Sequence, residues 1–291
     1  MCRLIQSKLF TFYIGKEKKA FVVHSKAIAV TSWHFHALVN NGMVQSEEGS
    51  VEYPDMEPND FARFIEYAYR YDYTPPSWIL DERHADNGKA DDAVSNSADE
   101  PQLLEEPIED TPEWVAPAEV DEYSDGRFRK LGKSQLIRKL RQSFDEQTYL
   151  TLHEPRTTLL LDRLPQQNSS AEQDFTPVFL AHARLYTFAC MRLIDPLKRL
   201  ALSKLHETLR RFKLYNRRVS DVVELARYAY EHGEDRKSDG TVEDLRKLVV
   251  EYIACEVSTI GKHEAFALLL QEGGEFVVDF WRIINKVILG L

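Results

Sequence analysis

Cysteine is scarce in this chain. The three present, Cys2, Cys190 and Cys255, have no paired spacing. That excludes a disulfide framework and suits a reducing compartment, cytosol or nucleus. Long apolar runs are missing too: no stretch of about 18 apolar residues appears, so no membrane span is expected. The first thirty residues are broken by Arg3, Lys8, Lys16, Glu17, Lys18 and Lys19, unlike the apolar centre of a secretory leader. Motifs that carry chemistry are equally sparse. Gly273-Gly274 lies between helical patterns with no Lys-Ser/Thr after it, so it is no phosphate loop. Neither a Gly-x-Ser-x-Gly elbow nor a Cys–His arrangement offers a nucleophile. His34 and His36 stand two apart on an expected helix and point away from each other, so they do not converge on one ion. His24 reads as a partly buried histidine hydrogen-bonded to backbone, and Cys190 as a core residue. These absences point away from an enzyme and leave no catalytic, cofactor-binding or metal-binding residues to nominate.

What is present suits one or two folded domains. The chain has 291 residues, of which 43% are hydrophobic and 11% aromatic, enough to bury a sizeable core. The net charge of −10 is unevenly placed. Between Pro76 and Gly126 sixteen carboxylates stand against Arg83 and Lys89, a local −14, so the rest of the chain sums to +4. Apolar periodicity vanishes over the same stretch. Such a segment cannot bury enough apolar surface to offset its ordering entropy, so it is expected to be disordered. The sign then reverses. From Arg127 to Arg141 seven of fifteen residues are basic (Arg127, Arg129, Lys130, Lys133, Arg138, Lys139 and Arg141) and none is acidic. A nuclear-import signal or phosphate contact fits that run. A solvated basic segment pairing transiently with the acidic stretch fits better, because no folded DNA-reading motif accompanies it. Nucleic acid is therefore not the expected partner.

The flanking segments carry regular patterns. Phe10 to Ile14 and Phe21 to Val23, separated by Gly15-Lys-Glu-Lys-Lys19, predict a hairpin. Ser25 to Val30 and Ser32 to Asn40 predict two short helices, with Ser32 as N-cap of the second. Val51 to Tyr53 reads as a short strand. Pro58 suits the first turn of a helix whose Phe61, Phe64, Ile65 and Ala68 form one buried face, stopped by Thr74-Pro75-Pro76. A short helix is expected within Gln135 to Tyr149. From Val178 onward the chain reads as helical. Val178, Ala181, Leu185, Phe188 and Ala189 share a face, as do Leu197, Leu200, Ala201 and Leu205. Ser220 is the expected cap of a helix over Asp221 to Glu231, and Thr241-Val-Glu-Asp244 reads as a loose capping box. Glu272-Gly-Gly-Glu275 is expected to bend or break the helix before a last apolar stripe from Phe276 to Ile288, read as core packing.

The order of these motifs resembles the BTB/POZ domain, most closely the type found in filamentous fungi. After a hairpin that family carries His-Lys-x-x-Leu and Ser-x-x-Phe, matched here by His24-Ser25-Lys-Ala-Ile28 and Ser32-Trp-His-Phe35. Its Phe-x-x-(Phe/Leu)-(Leu/Ile)-x-Tyr-x-Tyr helix is matched by Phe61-Ala-Arg-Phe64-Ile65-Glu-Tyr67-Ala-Tyr69. Its later helix pair is matched by Ala183-Arg-Leu-Tyr186 and Asp195-Pro-Leu197-Lys198. The resemblance implies an α+β fold with a small sheet and a helical cluster, a long acidic disordered insertion and a helical C-terminal extension. It divides the chain into a first BTB/POZ part (1–75), an acidic then basic insertion, largely disordered (76–173), a second BTB/POZ part of helices (174–212) and the extension (213–291). A long insertion costs little, because closure entropy grows only logarithmically with length.

The resemblance also implies what the protein does. It would be a non-enzymatic adaptor or scaffold, pairing with itself or with another BTB protein and serving ubiquitin ligation or gene regulation in the cytoplasm or nucleus. The protein-binding positions it implies are Leu9, Phe10 and Ser25, with Met43, Val44 and Gln45. Family dimers place an Asp before the first strand and a basic residue after the histidine; Leu9 and Ser25 stand there instead. Losing both charges together is coherent, since one buried charge left unpaired costs about 3–5 kcal/mol. Members that dock on cullins carry a hydrophobic-x-Glu motif, and Met43-Val44-Gln45 replaces its Glu by Gln, which implies weak cullin binding. A nuclear cofactor acting through residues 127–141 is the alternative; an enzyme with an unrecognised site is disfavoured.

Overall fold

Strand β1 (Leu9–Ile14) alternates strictly: Phe10, Phe12 and Ile14 are buried, while Leu9, Thr11 and Tyr13 face outward. That period of two is what a strand covered on one face requires. The computed structural model describes residues 2–40, 49–81, 133–150, 167–236 and 239–289. A short helix α1 (Cys2–Ile5) precedes β1. Strand β2 (Lys19–His24) returns antiparallel, with Phe21 opposite Phe12 and His24 opposite Leu9. Gly15, at φ 75°, supplies the left-handed backbone that the turn between them needs. Helices α2 (Ser25–Ala29) and α3 (Trp33–Asn40) follow. The Ser32 hydroxyl accepts the Phe35 N–H at 3.3 Å, the N-cap expected for α3. Strand β3 (Ser50–Tyr53) then pairs parallel to β1, giving the order β2-β1-β3.

Helix α4 (Pro58–Arg70) opens on its proline and buries Phe61, Phe64, Tyr67 and Ala68. It stops before Pro75-Pro76 is reached: Tyr71 turns left-handed at φ 57° and its N–H closes onto the Tyr67 carbonyl at 2.7 Å. A two-residue strand β4 (Ile79–Leu80) pairs antiparallel with β5 (Gln173–Asp174). Between them helix α5 (Lys133–Asp145) packs on the C-terminal helices, with Phe144 buried against Tyr252 and His206. Within the 76–173 stretch three described pieces are thus built into the fold; residues 82–132 and 151–166 lie outside the described residues.

Helices α6 (Thr176–Met191) and α7 (Asp195–Arg211) form an antiparallel hairpin. Phe188 of α6 lies 5.0 Å from Phe64 of α4, which stacks on Phe35 of α3, also at 5.0 Å between ring centres. One apolar cluster therefore runs from the sheet into the helices without a break. A 3-10 turn (Asn216–Arg218) leads into α8 (Val219–His232), and α9 (Asp244–Cys255), α10 (Val257–Ile260), α11 (Glu264–Glu272) and α12 (Gly274–Leu289) complete the chain. The break at Gly273, at φ 74°, falls where the sequence places it.

Two expected caps are corrected. Helix α8 grows directly out of the 3-10 turn, so Ser220 lies inside it, its hydroxyl donating to the Arg217 carbonyl at 3.4 Å. At α9 the cap is Glu243 rather than Thr241. Its carboxylate accepts the N–H groups of Leu245 and Arg246 at 3.0 and 3.1 Å and also the Tyr186 hydroxyl. A carboxylate so placed satisfies two orphan donors and favours the positive helix end.

Candidate protein-docking surface

The Leu9 and Ser25 positions meet at one corner of the sheet. Leu9 is 60% exposed and opposite His24. Ser25 opens α2, its N–H donating to the Lys8 carbonyl at 2.8 Å, and Lys26 N–H donates to the Ser7 hydroxyl at 3.1 Å. Ile5, the last residue of α1, and Val30, just past the end of α2, are exposed as well. Phe10 does not belong to this surface: it faces the core, 5.1 Å from Phe12 between ring centres. The alternation that exposes Leu9 is what turns Phe10 inward. Met43, Val44 and Gln45 lie outside the described residues.

The histidines resolve into separate roles. His24 does not bond to backbone acceptors as expected. Its N–H donates to the Tyr69 hydroxyl at 3.0 Å, and its Nδ1 lies 2.8 Å from the same oxygen. The end of α4 thereby caps the free edge of β2. Among the described residues no cluster of three or more His, Cys, Asp or Glu could hold a metal. Burial, then the Arg192 charge, lowers the pKa of His34.

A second exposed apolar surface lies at the α6–α7 turn, which sequence reasoning passed over. Helix α6 ends in a Schellman arrangement. Ile194 N–H donates to the Ala189 carbonyl at 2.9 Å and Leu193 N–H to the Cys190 carbonyl at 3.2 Å. Leu193 takes the left-handed position, at φ 55°, where glycine is the usual residue. Pro196 marks the break between the two helices in the sequence, but with no glycine ahead of it nothing pointed to a left-handed residue at Leu193. Met191 and Leu193 are 67% and 63% exposed. Between them the Arg192 guanidinium lies over the Tyr53 ring at 4.5 Å, with a terminal nitrogen 3.3 Å from His34 Nε2.

The basic segment is divided. Arg127, Arg129 and Lys130 lie outside the described residues, and Lys133 begins α5. Arg138 and Lys139 are exposed on that helix. Arg141 is not a solvated cation: it donates to the Glu256 carboxylate at 2.5 Å and lies over Phe144 and Tyr252. That arginine ties α5 to the C-terminal helices and is not available to a phosphate.

Among the described residues the two free cysteines, Cys190 and Cys255, are not activated. Burial raises the Cys190 thiol to about 11 and Cys255 to about 12, which keeps both protonated and poor nucleophiles. A cavity of about 370 Å³ lies between α8, α11 and α12. Its charged groups are already paired: Arg227 donates to Glu272 within it and to Glu224 beside it, and Glu275 pairs with Arg246. Among the described residues no helix is long and apolar enough to cross a membrane.

A search of curated proteins finds no match to the chain. Residues 6–82 match the family model of the BTB/POZ domain, and that span holds the whole three-stranded sheet with α2, α3 and α4; the chain carries a BTB/POZ domain, a module for binding proteins.

Proposed function

We propose that the protein is a non-enzymatic adaptor that holds other proteins, in the cytosol or nucleus, with its BTB/POZ domain completed by residues 174–212 and extended by 213–291. The observation that carries this reading is the exposure of Ile5, Leu9 and Val30 on a domain whose business is protein contact. Apolar side chains left at a solvent face favour a partner. Leu9 and Ser25 leave the corner without a charge pair to bury, which suits self-association or pairing with another BTB protein. Sedimentation of the full chain tests this: sedimentation should rise with concentration, and Leu9→Asp should abolish the rise without altering thermal stability. A concentration-independent wild type that also recovers no BTB partner from cells counts against the reading.

Docking on a cullin is a finer version of the same role and rests on sequence alone. A Glu at position 45 would make charge-assisted hydrogen bonds about 1–2 kcal/mol stronger than Gln45 does, roughly tenfold in affinity. Binding to a cullin N-terminal domain should be weak, strengthened by Gln45→Glu and abolished by Met43→Asp. The alternative of a nuclear cofactor acting through 127–141 draws less support, because Arg141 is held by Glu256.

A further inference from the structure

Leu193 is in a conformation that its side chain disfavours. A left-handed backbone brings Cβ against the following carbonyl, which is why glycine dominates the residue just past a helix end. A leucine there is tolerable if its side chain packs. Leu193 does not: it is 63% exposed, while the next residue, Ile194, is fully buried and supplies the apolar contact that closes the motif. The cost of the backbone is therefore retained without any return within the described fold. Strain of this kind, observed rather than assumed, points to use.

Arg192 is unusual in the same turn. The other enclosed guanidiniums have carboxylates: Arg141 has Glu256, Arg218 has Asp81, Arg236 has Asp279 and Arg246 has Glu275. Arg192 has none within ion-pair reach among the described residues. It rests on the rings of Tyr53 and Phe188, touches His34, and its Nε is buried without a hydrogen-bond partner. A guanidinium pre-set on aromatic faces, with no carboxylate of its own, is a receptor for one. Met191 and Leu193 flank it in sequence, both exposed, and Trp33, which is 75% exposed, precedes its contact His34 on the first turn of α3. Aromatic and arginine side chains of this kind dominate binding energy at protein interfaces. Asp195, exposed at the start of α7 three residues on in sequence, carries a negative charge that repels further carboxylates of a ligand. The turn therefore suits a single carboxylate among apolar residues better than an acidic run.

We propose that the α6–α7 turn is a second docking surface, seating a partner's protein segment in which one carboxylate, flanked by apolar side chains, reaches Arg192 while its apolar neighbours cover Met191, Leu193 and Trp33. The inference rests on the protein-binding reading above but uses different residues from the Leu9 corner. A random dodecapeptide library displayed on phage and selected on the full chain tests it. The selected peptides should carry one Asp or Glu between apolar residues. In fluorescence polarisation, replacing that residue by Asn or Gln should weaken binding about tenfold. Arg192→Gln should remove the discrimination between the two peptides. Leu193→Gly should weaken binding several-fold while raising the melting temperature, a combination that a purely structural role does not produce. Leu9→Asp should leave peptide binding unchanged, so failure of the corner and failure of this surface are told apart. Peptides without a carboxylate, indifference to Arg192→Gln, or a Leu193→Gly chain that binds as before would overturn the proposal. So would a chain lacking residues 82–126 that binds the peptide about tenfold tighter, since the chain's own acidic stretch would then be the occupant.

Discussion

His182 lies in the middle of α6 with its ring enclosed, and Tyr73 reaches it from the segment after α4, the hydroxyl 2.6 Å from Nδ1. Burial, assisted by the charges of Lys204 and Arg63, lowers the His182 pKa to about 3, so the ring is neutral throughout the physiological range. Lys204 of α7 fixes the same tyrosine. It donates to the Tyr73 carbonyl at 2.5 Å, pairs with Asp72, and lies 4.4 Å above the Tyr73 ring. Three elements are thus pinned through one side chain. Tyr73→Phe keeps the ring and its packing but strips Nδ1 of its partner, and Nε2 has none to begin with. Leaving a buried polar group unsatisfied costs about 1–3 kcal/mol. Urea unfolding should show a loss of that size with the m-value unchanged. Because His182 stays neutral, the loss should be the same at pH 5.5 and pH 8. A loss confined to low pH would mean that the histidine carries charge in the folded protein. None of this was legible beforehand: Tyr73 and His182 stand 109 residues apart, and a lone histidine on an apolar face carries no sequence signal for its partner.

Elements were legible where period decides and obscure where distant chain segments meet. The β1–β2 hairpin, α2, α3, β3, α4 and the long C-terminal helices all follow from alternation or from apolar faces at helical spacing. The parallel pairing of β3 with β1 does not, since four residues of strand are compatible with several neighbours. Caps failed where a buried carboxylate overrode local propensity, as Glu243 does at α9. The root of the α5-bearing excursion is another such case. Arg217 and Arg218, on the 3-10 turn, face Asp81 just past β4, Asp174 of β5 and Asp221 of α8. Asp221 also accepts the Phe175 N–H at 2.9 Å. Two guanidiniums against three carboxylates leave one charge in excess. Burial raises the Asp221 pKa to about 7, with Asp174 adding to the rise and Arg218 and the Phe175 N–H opposing it. The folded chain therefore holds a proton on Asp221 that the unfolded chain has released above about pH 4. Stability from this group is present at low pH and is lost as pH rises through about 7, with a slope of at most about 1.4 kcal/mol per pH unit. Asp221→Asn keeps an acceptor for Phe175 and removes the titration. The stability of wild type relative to Asp221→Asn should fall between pH 5 and pH 7 and level off above it. Parallel curves for the two proteins would place the titration elsewhere.

At the scale of the whole molecule, the sheet and α4 do not close their own core. Phe35, Phe61 and Phe64 are fully buried, and Phe188 of α6 meets Phe64 and Phe35 from the far side of the 82–132 segment. The Tyr73–His182 bond and the Lys204–Asp72 pair cross the same boundary. Residues 1–81 alone would expose that aromatic layer to water. Burying an aromatic side chain of this kind is worth about 1.5–3 kcal/mol, and several are at stake together. These contacts join residues on the two sides of the link directly, and a covalent connection adds to them an effective concentration. Two chains, 1–81 and 133–291, co-expressed without a link should therefore copurify one to one and unfold in a single transition. The first chain alone should aggregate. Phe188→Ala in the second should weaken the assembly by about 3–5 kcal/mol, the usual cost of deleting a core phenylalanine. Two fragments that fold separately and fail to associate would show that the BTB/POZ domain ends before α6 and that the helices are a neighbour rather than its second part.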